Sequence, residues 1–360
     1  MSTQPRDVSH PTMQAISYTG AGGREVVAVV DSEIPVPGPG EVLIRVTAAG
    51  INRADVLQRA GNYPVPPGAP EGPGLEVSGT IEETGAGVGA WDFGTPVCAL
   101  LTGGGYAEYV TVPEGQVVPV PDGVSLTEAA GLPEVAATCW SNLVMEAGVQ
   151  AGDWVLVHGG TGGIGSFALQ MLAALGARPL ATAGSPEKVR RCLELGAEAA
   201  INHREEDFVD RVRELTGGHG ADVILDVIGA KYLERNVDAL ARGGRLVVIG
   251  LQGGGSGTLP LGKLMGVNGS VTGTLLRPRP VREKAEIMRQ VREQLWPLVS
   301  AGKIRTTTDA TFPLEHAAEA QDRFEEADRT GKVLLVTEAG ARGAGDAEHA
   351  AHAGVGGRRP

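Results

Sequence analysis

Three cysteines in 360 residues, Cys98, Cys139 and Cys192, are too few and too scattered for a disulfide framework, and they do not space like a zinc lobe. Positive charge is also short: 31 Lys and Arg against 43 Asp and Glu leave a formal net charge of −12. Phosphate backbones are held by clustered cations, so this balance speaks against a nucleic-acid partner, RNA included. It fits an anionic membrane surface no better. No uninterrupted apolar run approaches bilayer-spanning length, and Met1 to Pro11 carry no signal-peptide core. A cytoplasmic location is the default expectation. What the chain has in plenty is glycine, 54 residues, which implies many turns and close backbone approaches and suits a nucleotide-binding protein better than a helical bundle. The length favours two domains.

From about Gln14 to Val120 short strands alternate with Gly and Pro punctuation, as in Glu41–Val46, Val77–Ile81, Pro96–Leu100 and Ala107–Val112. That pattern predicts an antiparallel, barrel-like region. After Ser125 the rhythm changes. A helix over Leu126–Ala147 leads to a strand at Trp154–His158, a glycine turn and a helix over Ser166–Leu175. Apolar strands at Arg178–Ala183, Ala199–Asn202, Val223–Val227 and Arg245–Ile249 alternate with helices, which predicts a doubly wound parallel sheet. Ser270–Leu276 is expected to close that sheet, residues 281–325 to be helical in parts, and Gly331–Thr337 to return as a strand to the first domain. Residues 1–12 and 339–360 read as disordered tails.

Gly160-Thr161-Gly162-Gly163-Ile164-Gly165 gives G-x-G-x-x-G between a strand and a helix. The first glycine permits the tight turn, the second lets a pyrophosphate approach the backbone, and the third allows close helix–strand packing. Glycine is so common here that the motif alone is weak, and the strand–turn–helix context is what gives it meaning. The next strand ends Ala181-Thr182-Ala183-Gly184-Ser185-Pro186-Glu187-Lys188, with no carboxylate at its tip to hold a ribose 2′-OH. A hydroxyl and a cation follow instead, which favours the 2′-phosphate of NADPH, although Lys188 also reads as a solvated helix residue and Glu187 as a first-turn dipole partner.

Almost the whole folded part, about 14–337, resembles the zinc-independent quinone oxidoreductases of the medium-chain dehydrogenase/reductase superfamily. The similarity is closest to the p53-inducible quinone oxidoreductase branch, with zeta-crystallin a more distant relative. It is carried by Asn52–Arg59, Gly61–Pro64, Leu101–Gly105, Tyr109–Gly115, Val149–Asp153 and Thr182–Ser185. The resemblance implies an α/β protein: a GroES-like, mainly-β catalytic domain over 13–135, a Rossmann NADPH-binding domain over 136–278, and a return to the catalytic domain over 279–338. It implies NADPH in the cleft, held by Gly160, Thr161, Gly162, Gly163, Ile164 and Gly165, with Gly184, Ser185 and Lys188 at the 2′-phosphate and His203 at the adenosine. Gly250, Leu251, Gln252 and Gly253, and Thr274, Leu275 and Leu276, would line the nicotinamide, with Lys332 near the cofactor. Tyr63 matches the family's active-site tyrosine, and Thr138 a threonine that contacts the cofactor. Around that threonine Ala137, Cys139 and Trp140 depart from the close relatives.

Zinc-dependent relatives place Cys and His where this chain has Asn52 and Leu75. Neither is a useful zinc ligand and Glu76 alone makes no site, so no metal is expected. Without a Lewis acid, alcohol oxidation is disfavoured, while an electrophilic quinone needs mainly positioning. The expected function is therefore NADPH-dependent quinone reduction. Tyr63 and Asn52 are expected to orient the acceptor's carbonyl, with Thr138 beside them. Each has a blander reading: a tyrosine covering an apolar patch, a turn asparagine and a helix hydroxyl bonded to its own backbone. The proton would come from solvent or through Tyr63, and His158 reads as a packed histidine. Alternatives are reduction of α,β-unsaturated carbonyls or enoyl thioesters, and a non-catalytic NADPH-binding protein. A homodimer paired along Ser270–Leu276 is implied by the resemblance.

Overall fold

Glycines and prolines cut the first third of the chain into pieces that only short strands can fill. The computed structural model describes residues 11–341. β1 (Thr12–Tyr18) and β2 (Val27–Glu33) pair antiparallel. β3 (Glu41–Gly50), α1 (Arg53–Arg59), β4 (Glu76–Thr84), β5 (Pro96–Leu100), β6 (Tyr109–Pro113) and β7 (Val117–Pro119) follow. β3 is the hub, antiparallel to both β4 and β6. Its alternate side chains Val42, Ile44 and Val46 enter a core shared with Val77, Ile81 and Val110.

The expected helix over 126–147 is broken. α2 (Leu126–Ala129) is held by a Ser125/Glu128 capping box, and α3 (Pro133–Cys139) begins afresh because Pro133 cannot continue a preceding helix. Over Trp140–Glu146 the coil widens to i→i+5 bonding, Ala147 N–H donating to Asn142 O at 3.0 Å.

The second domain runs through β8 (Trp154–His158), α4 (Gly163–Ala174), β9 (Arg178–Ala183), α5 (Pro186–Glu194), β10 (Ala199–Asn202), α6 (Phe208–Leu215), β11 (Ala221–Asp226), α7 (Leu233–Ala239), β12 (Leu240–Val248), α8 (Leu261–Gly266) and β13 (Ser270–Gly273). Every strand pair is parallel and the order is β10-β9-β8-β11-β12-β13. Helices cover both faces. Val155 and Val157 of β8 pack with Phe167 and Leu169 of α4, whereas Leu156 packs with Phe208 and Val212 of α6. This two-sided burial is why the strands read as continuous apolar runs. The winding direction reverses between β8 and β11, which opens a crevice at the carboxyl ends of the strands.

β13 stops at Gly273, short of the expected Leu276; the Thr274 N–H still donates to Val248 O of β12 at 3.1 Å, while its hydroxyl donates to Asn142 Oδ1 on the helix after α3. α9 (Val281–Gln290) and α10 (Trp296–Ser300) lead to β14 (Thr308–Pro313), α11 (Ala317–Glu325) and β15 (Lys332–Val336). β15 lies between β14 and β3, parallel to the first and antiparallel to the second, so the last strand completes the first domain's sheet. Within the spans expected as tails, Thr12 pairs with Glu33, and residues 338–341 form a helical turn with Ala341 N–H on Thr337 O. The rest of the expected tails, 1–10 and 342–360, lies outside the described residues.

Candidate active site

β8 ends in a turn that glycine alone can make. Gly159 has φ +73°, and Gly162 then caps α4 with no side chain, at the positive end of a 12-residue helix. The three motif glycines have distinct reasons to be glycine. A Cβ on Gly160 would lie 2.7 Å from Cys192 Sγ, and one on Gly165 would lie 2.2 Å from Gly159 O. One on Gly162 meets nothing closer than 3.5 Å. Two glycines therefore allow packing, and a Cβ on the third would make only an ordinary contact, so the helix N-terminus there keeps room for a pyrophosphate. His158, just before the turn, is buried between Asn236 Oδ1 at 2.8 Å and Thr182 Oγ1 at 3.1 Å, and burial pushes its pKa down to about 4. It is a packed, neutral histidine.

At the tip of β9, Ser185 caps α5, its Oγ accepting the Lys188 N–H at 3.3 Å. The Lys188 ammonium is not left free over the strand end: Nζ donates to Ala327 O at 2.8 Å and Arg329 O at 3.0 Å. A Cβ on Gly184 would instead meet His203 Nε2 at 3.2 Å and Arg204 Nε at 3.6 Å. An imidazole and an exposed guanidinium thus face the end of β9 from the loop after β10. Sequence reasoning named His203 but passed over Arg204, its neighbour.

The loop after β12 folds onto the loop after β11, with Gln252 N–H on Val227 O and Gly253 N–H on Ile228 O. Leu251 and Leu275 are exposed and Leu276 is buried. The widened coil after α3 brings two expected residues into one network. Asn142 Nδ2 donates to Thr138 O at 2.8 Å, while Asn142 Oδ1 accepts from the Thr274 hydroxyl. A π-type widening at such a point re-aims polar groups that a regular helix would keep to itself.

Beneath the turn lies a buried ionic cluster. Glu76 and Lys332 are 0% and 6% exposed and form an ion pair. Lys332 Nζ also donates to Asn52 Oδ1 at 2.7 Å and Ile51 O at 3.0 Å. Asn52 Nδ2 donates to Glu76 Oε1 at 3.0 Å, and the Glu134 N–H to Glu76 Oε2 at 2.9 Å. Both ends of the Asn52 amide are therefore engaged here, its oxygen by Lys332 and its nitrogen by Glu76. The cluster is fastened to the glycine turn. A Cβ on Gly163 would lie 2.8 Å from Lys332 Cδ, and Gly331 N–H donates to Thr161 O at 2.9 Å.

Tyr63 stands on the proline-rich loop across the cleft, with the Arg277 guanidinium 5.6 Å from its ring centroid. Burial, then the nearby Glu134, raise the phenol's pKa. Burial, then Glu76, push the half-buried Glu134 carboxyl up to about 8. Asp55 fixes the base of this loop by accepting from Asn52 N, Gly74 N and Tyr106 Oη. Arg277, Glu134 and Glu76 were not expected in the site. Arg277 follows directly on the segment Thr274–Leu276, but nothing in its neighbours signals that it is buried.

Two family models match the chain: an alcohol dehydrogenase GroES-like domain over residues 38–122 and a zinc-binding dehydrogenase over 163–292. Quinone oxidoreductase from Rattus norvegicus is 32% identical over 327 residues, covering 90% of this chain and 98% of the relative. A 2-haloacrylate reductase from Burkholderia sp is 32% identical over 327 residues, covering 88% and 97%. Among solved structures, a quinone oxidoreductase from Pseudomonas syringae pv. Tomato DC3000 superposes with a TM-score of 0.81 at 31% identity, covering 90% of this chain and 99% of that one. The Escherichia coli quinone oxidoreductase complexed with NADPH gives 0.79 at 29%, covering 90% and 99%. A structure described as an NAD-dependent alcohol dehydrogenase gives 0.78 at 34%, with the same coverage.

Proposed function

The chain belongs to the quinone oxidoreductase family of the medium-chain dehydrogenase/reductase superfamily, and from that premise we propose that it reduces quinones with NADPH, without a metal, in the cleft between its two domains. The observation that carries the reading is the Asn52–Glu76–Lys332 cluster. Where zinc-dependent relatives have thiolate and imidazole ligands this chain has Asn52 and Leu75, and the remaining carboxylate is neutralised by an ammonium. Such a donor set repels a cation.

The residues present fit NADPH. Amides of the Gly160–Gly165 turn would hold the pyrophosphate, and Gly184, Ser185, His203 and Arg204 the adenosine with its 2′-phosphate, a role in which Lys188 supports the pocket through the 326–331 loop. The Gly250–Gly253 and Thr274–Leu276 segments and Thr138 would border the nicotinamide. When bound, the cofactor supplies a hydride. Lys332, stretched between the turn and Glu76, keeps the two domains in fixed register about that point. Tyr63 covers the acceptor's side of the cleft, near the Glu134 carboxyl, whose pKa burial and Glu76 push up to about 8. Two copies paired along β13 would form the dimer.

A spectrophotometric assay of NADPH oxidation across para- and ortho-quinones tests the reading, and no turnover with any of them would sink it. For the cofactor, Arg204→Ala should weaken NADPH much more than NADH, and more than Lys188→Ala does. Equal weakening of both dinucleotides would remove the 2′-phosphate assignment. The second reading, reduction of α,β-unsaturated carbonyls or enoyl thioesters, is favoured by the 2-haloacrylate reductase among the relatives. Saturated products from enones, with weak quinone turnover, would establish it.

A further inference from the structure

Among the described residues four arginines keep a buried nitrogen without a hydrogen bond, Arg59, Arg211, Arg245 and Arg277, and Arg277 is the one that lies beside Tyr63. Arg277 leaves the Rossmann side just after Thr274–Leu276, yet its side chain is anchored in the other domain and is only 3% exposed. Nε donates to Thr102 O at 2.8 Å and Nη1 to Gln58 Oε1 at 2.8 Å. Lys284 braces the arrangement from behind, its ammonium on the Thr102 hydroxyl and the Arg277 carbonyl. Nη2 is shut away from solvent and has no acceptor among the described residues. Unpaired donors of this kind are rare in native interiors, and costly on a charged group.

The surroundings show what could complete it. Nη2 lies beside Gly103: a Cβ there would meet Pro70 O at 2.6 Å and Gly72 O at 3.0 Å and would come to 3.4 Å from Nη2, so glycine at this one position leaves room for the nitrogen as well as for the two carbonyls. On another side the guanidinium carbon lies over the Tyr63 ring, 5.6 Å from its centroid, on a loop rich in Pro and Gly. A flat ring already rests where a flat conjugated acceptor would stack equally well. With Nε and Nη1 fixed, the free arm cannot swing away to find solvent.

We propose that Arg277 is the oxyanion-binding residue of the reduction: a planar conjugated carbonyl compound displaces Tyr63 from the guanidinium, and its oxygen accepts the hydrogen bond that Nη2 lacks. This rests on the hydride-transfer reading above and adds the group that supplies positive charge in place of a metal. In the step, the hydride pair becomes a C–H bond of the acceptor and the acceptor's π pair moves onto its oxygen. That oxygen is held by Nη2 until a proton from solvent completes the reduction, NADPH being oxidised to NADP⁺. A preorganised charge in a site closed to water stabilises such an oxyanion far more than the same charge in solution.

The test uses 4-nitrophenol as an oxyanion probe on the full-length protein with NADP⁺, its ionisation read from the phenolate absorbance. The wild-type protein should bind the ionised form and lower the bound phenol's pKa by about one unit, as a cation in contact does. Arg277→Gln should abolish the lowering and Arg277→Lys retain part of it. In turnover with a quinone, Arg277→Gln should lose ~10²–10³ in kcat, while its NADPH affinity stays within about twofold. No lowering in the wild-type protein overturns the proposal even if the variants do not fold. A lowering that survives Arg277→Gln also overturns it, as does a turnover loss matched by equal losses of NADPH affinity and thermal stability, which would make Arg277 a structural pin. If the wild type reduces no quinone at all, the quinone reading fails while the probe still decides what Arg277 binds.

Discussion

A buried carboxylate depends on its partners, and Glu76 has one cation. Lys332→Met would leave that charge facing only Asn52 and a backbone N–H. Breaking a buried pair from one side costs about 3–5 kcal/mol, so the urea midpoint should fall accordingly, and the double change with Glu76→Gln should recover much of it. A single variant as stable as the wild type would show that the pair contributes little. Two other groups tilt stability with pH, in opposite senses. Glu134 rises from 4.5 to about 8 in the folded protein, so between those values the native state binds more protons than the unfolded chain and stability falls as pH rises. Glu134→Gln should flatten that part of the melting-temperature profile and leave its acid side unchanged. His158 is depressed from 6.5 to about 4, so its contribution is lost as pH falls through that window. Its ring signals in NMR should not move until the pH approaches about 4, and titration near the ordinary imidazole value would contradict the buried arrangement.

The turn between β8 and α4 separates two kinds of glycine that the motif writes identically. Gly165→Ala would drive a Cβ to 2.2 Å from Gly159 O, a backbone clash that must shift helix against strand. Gly162→Ala meets nothing nearer than 3.5 Å and leaves the fold alone while filling the room at the helix N-terminus. The expected contrast is a lowered melting temperature for the first variant, and for the second a normal melting temperature with weakened NADPH binding. Equal effects on both would argue against these roles. The Rossmann strands were legible because both faces are covered and their apolar runs cannot be mistaken. β1 and β2 were not, since their residues are half exposed and carry little alternation. Nothing local announces the i→i+5 widening after Cys139, which is what joins Thr138 to Thr274 through Asn142. Nor could sequence show that Asn52 faces Lys332, 280 residues away, or that Lys188 reaches the carbonyls before Gly331. Chemistry by residue type could be read from the chain, but the pairing of distant residues could not.

At the scale of the whole molecule, β13 is one of the two edge strands of the six-stranded sheet, with Leu261, Met265 and Leu275, all exposed, close to it in sequence. An edge of this kind invites a second copy. Sedimentation should show a dimer, and Val271→Pro, which removes an N–H that faces away from β12, should yield monomer; a wild-type monomer at micromolar concentration would contradict the pairing. β15 has a different consequence, one that concerns synthesis. The first domain to leave the ribosome cannot finish its sheet until the last strand arrives, because β3 waits for residues 334–336. The middle of the chain, whose six strands are contiguous in sequence, can close first. At roughly 5–20 residues per second, the nascent β3 edge then stays unpaired for many seconds. Fragments cut short before Lys332 would carry an intact dinucleotide fold beside an unsealed one, and should be the species that chaperones hold.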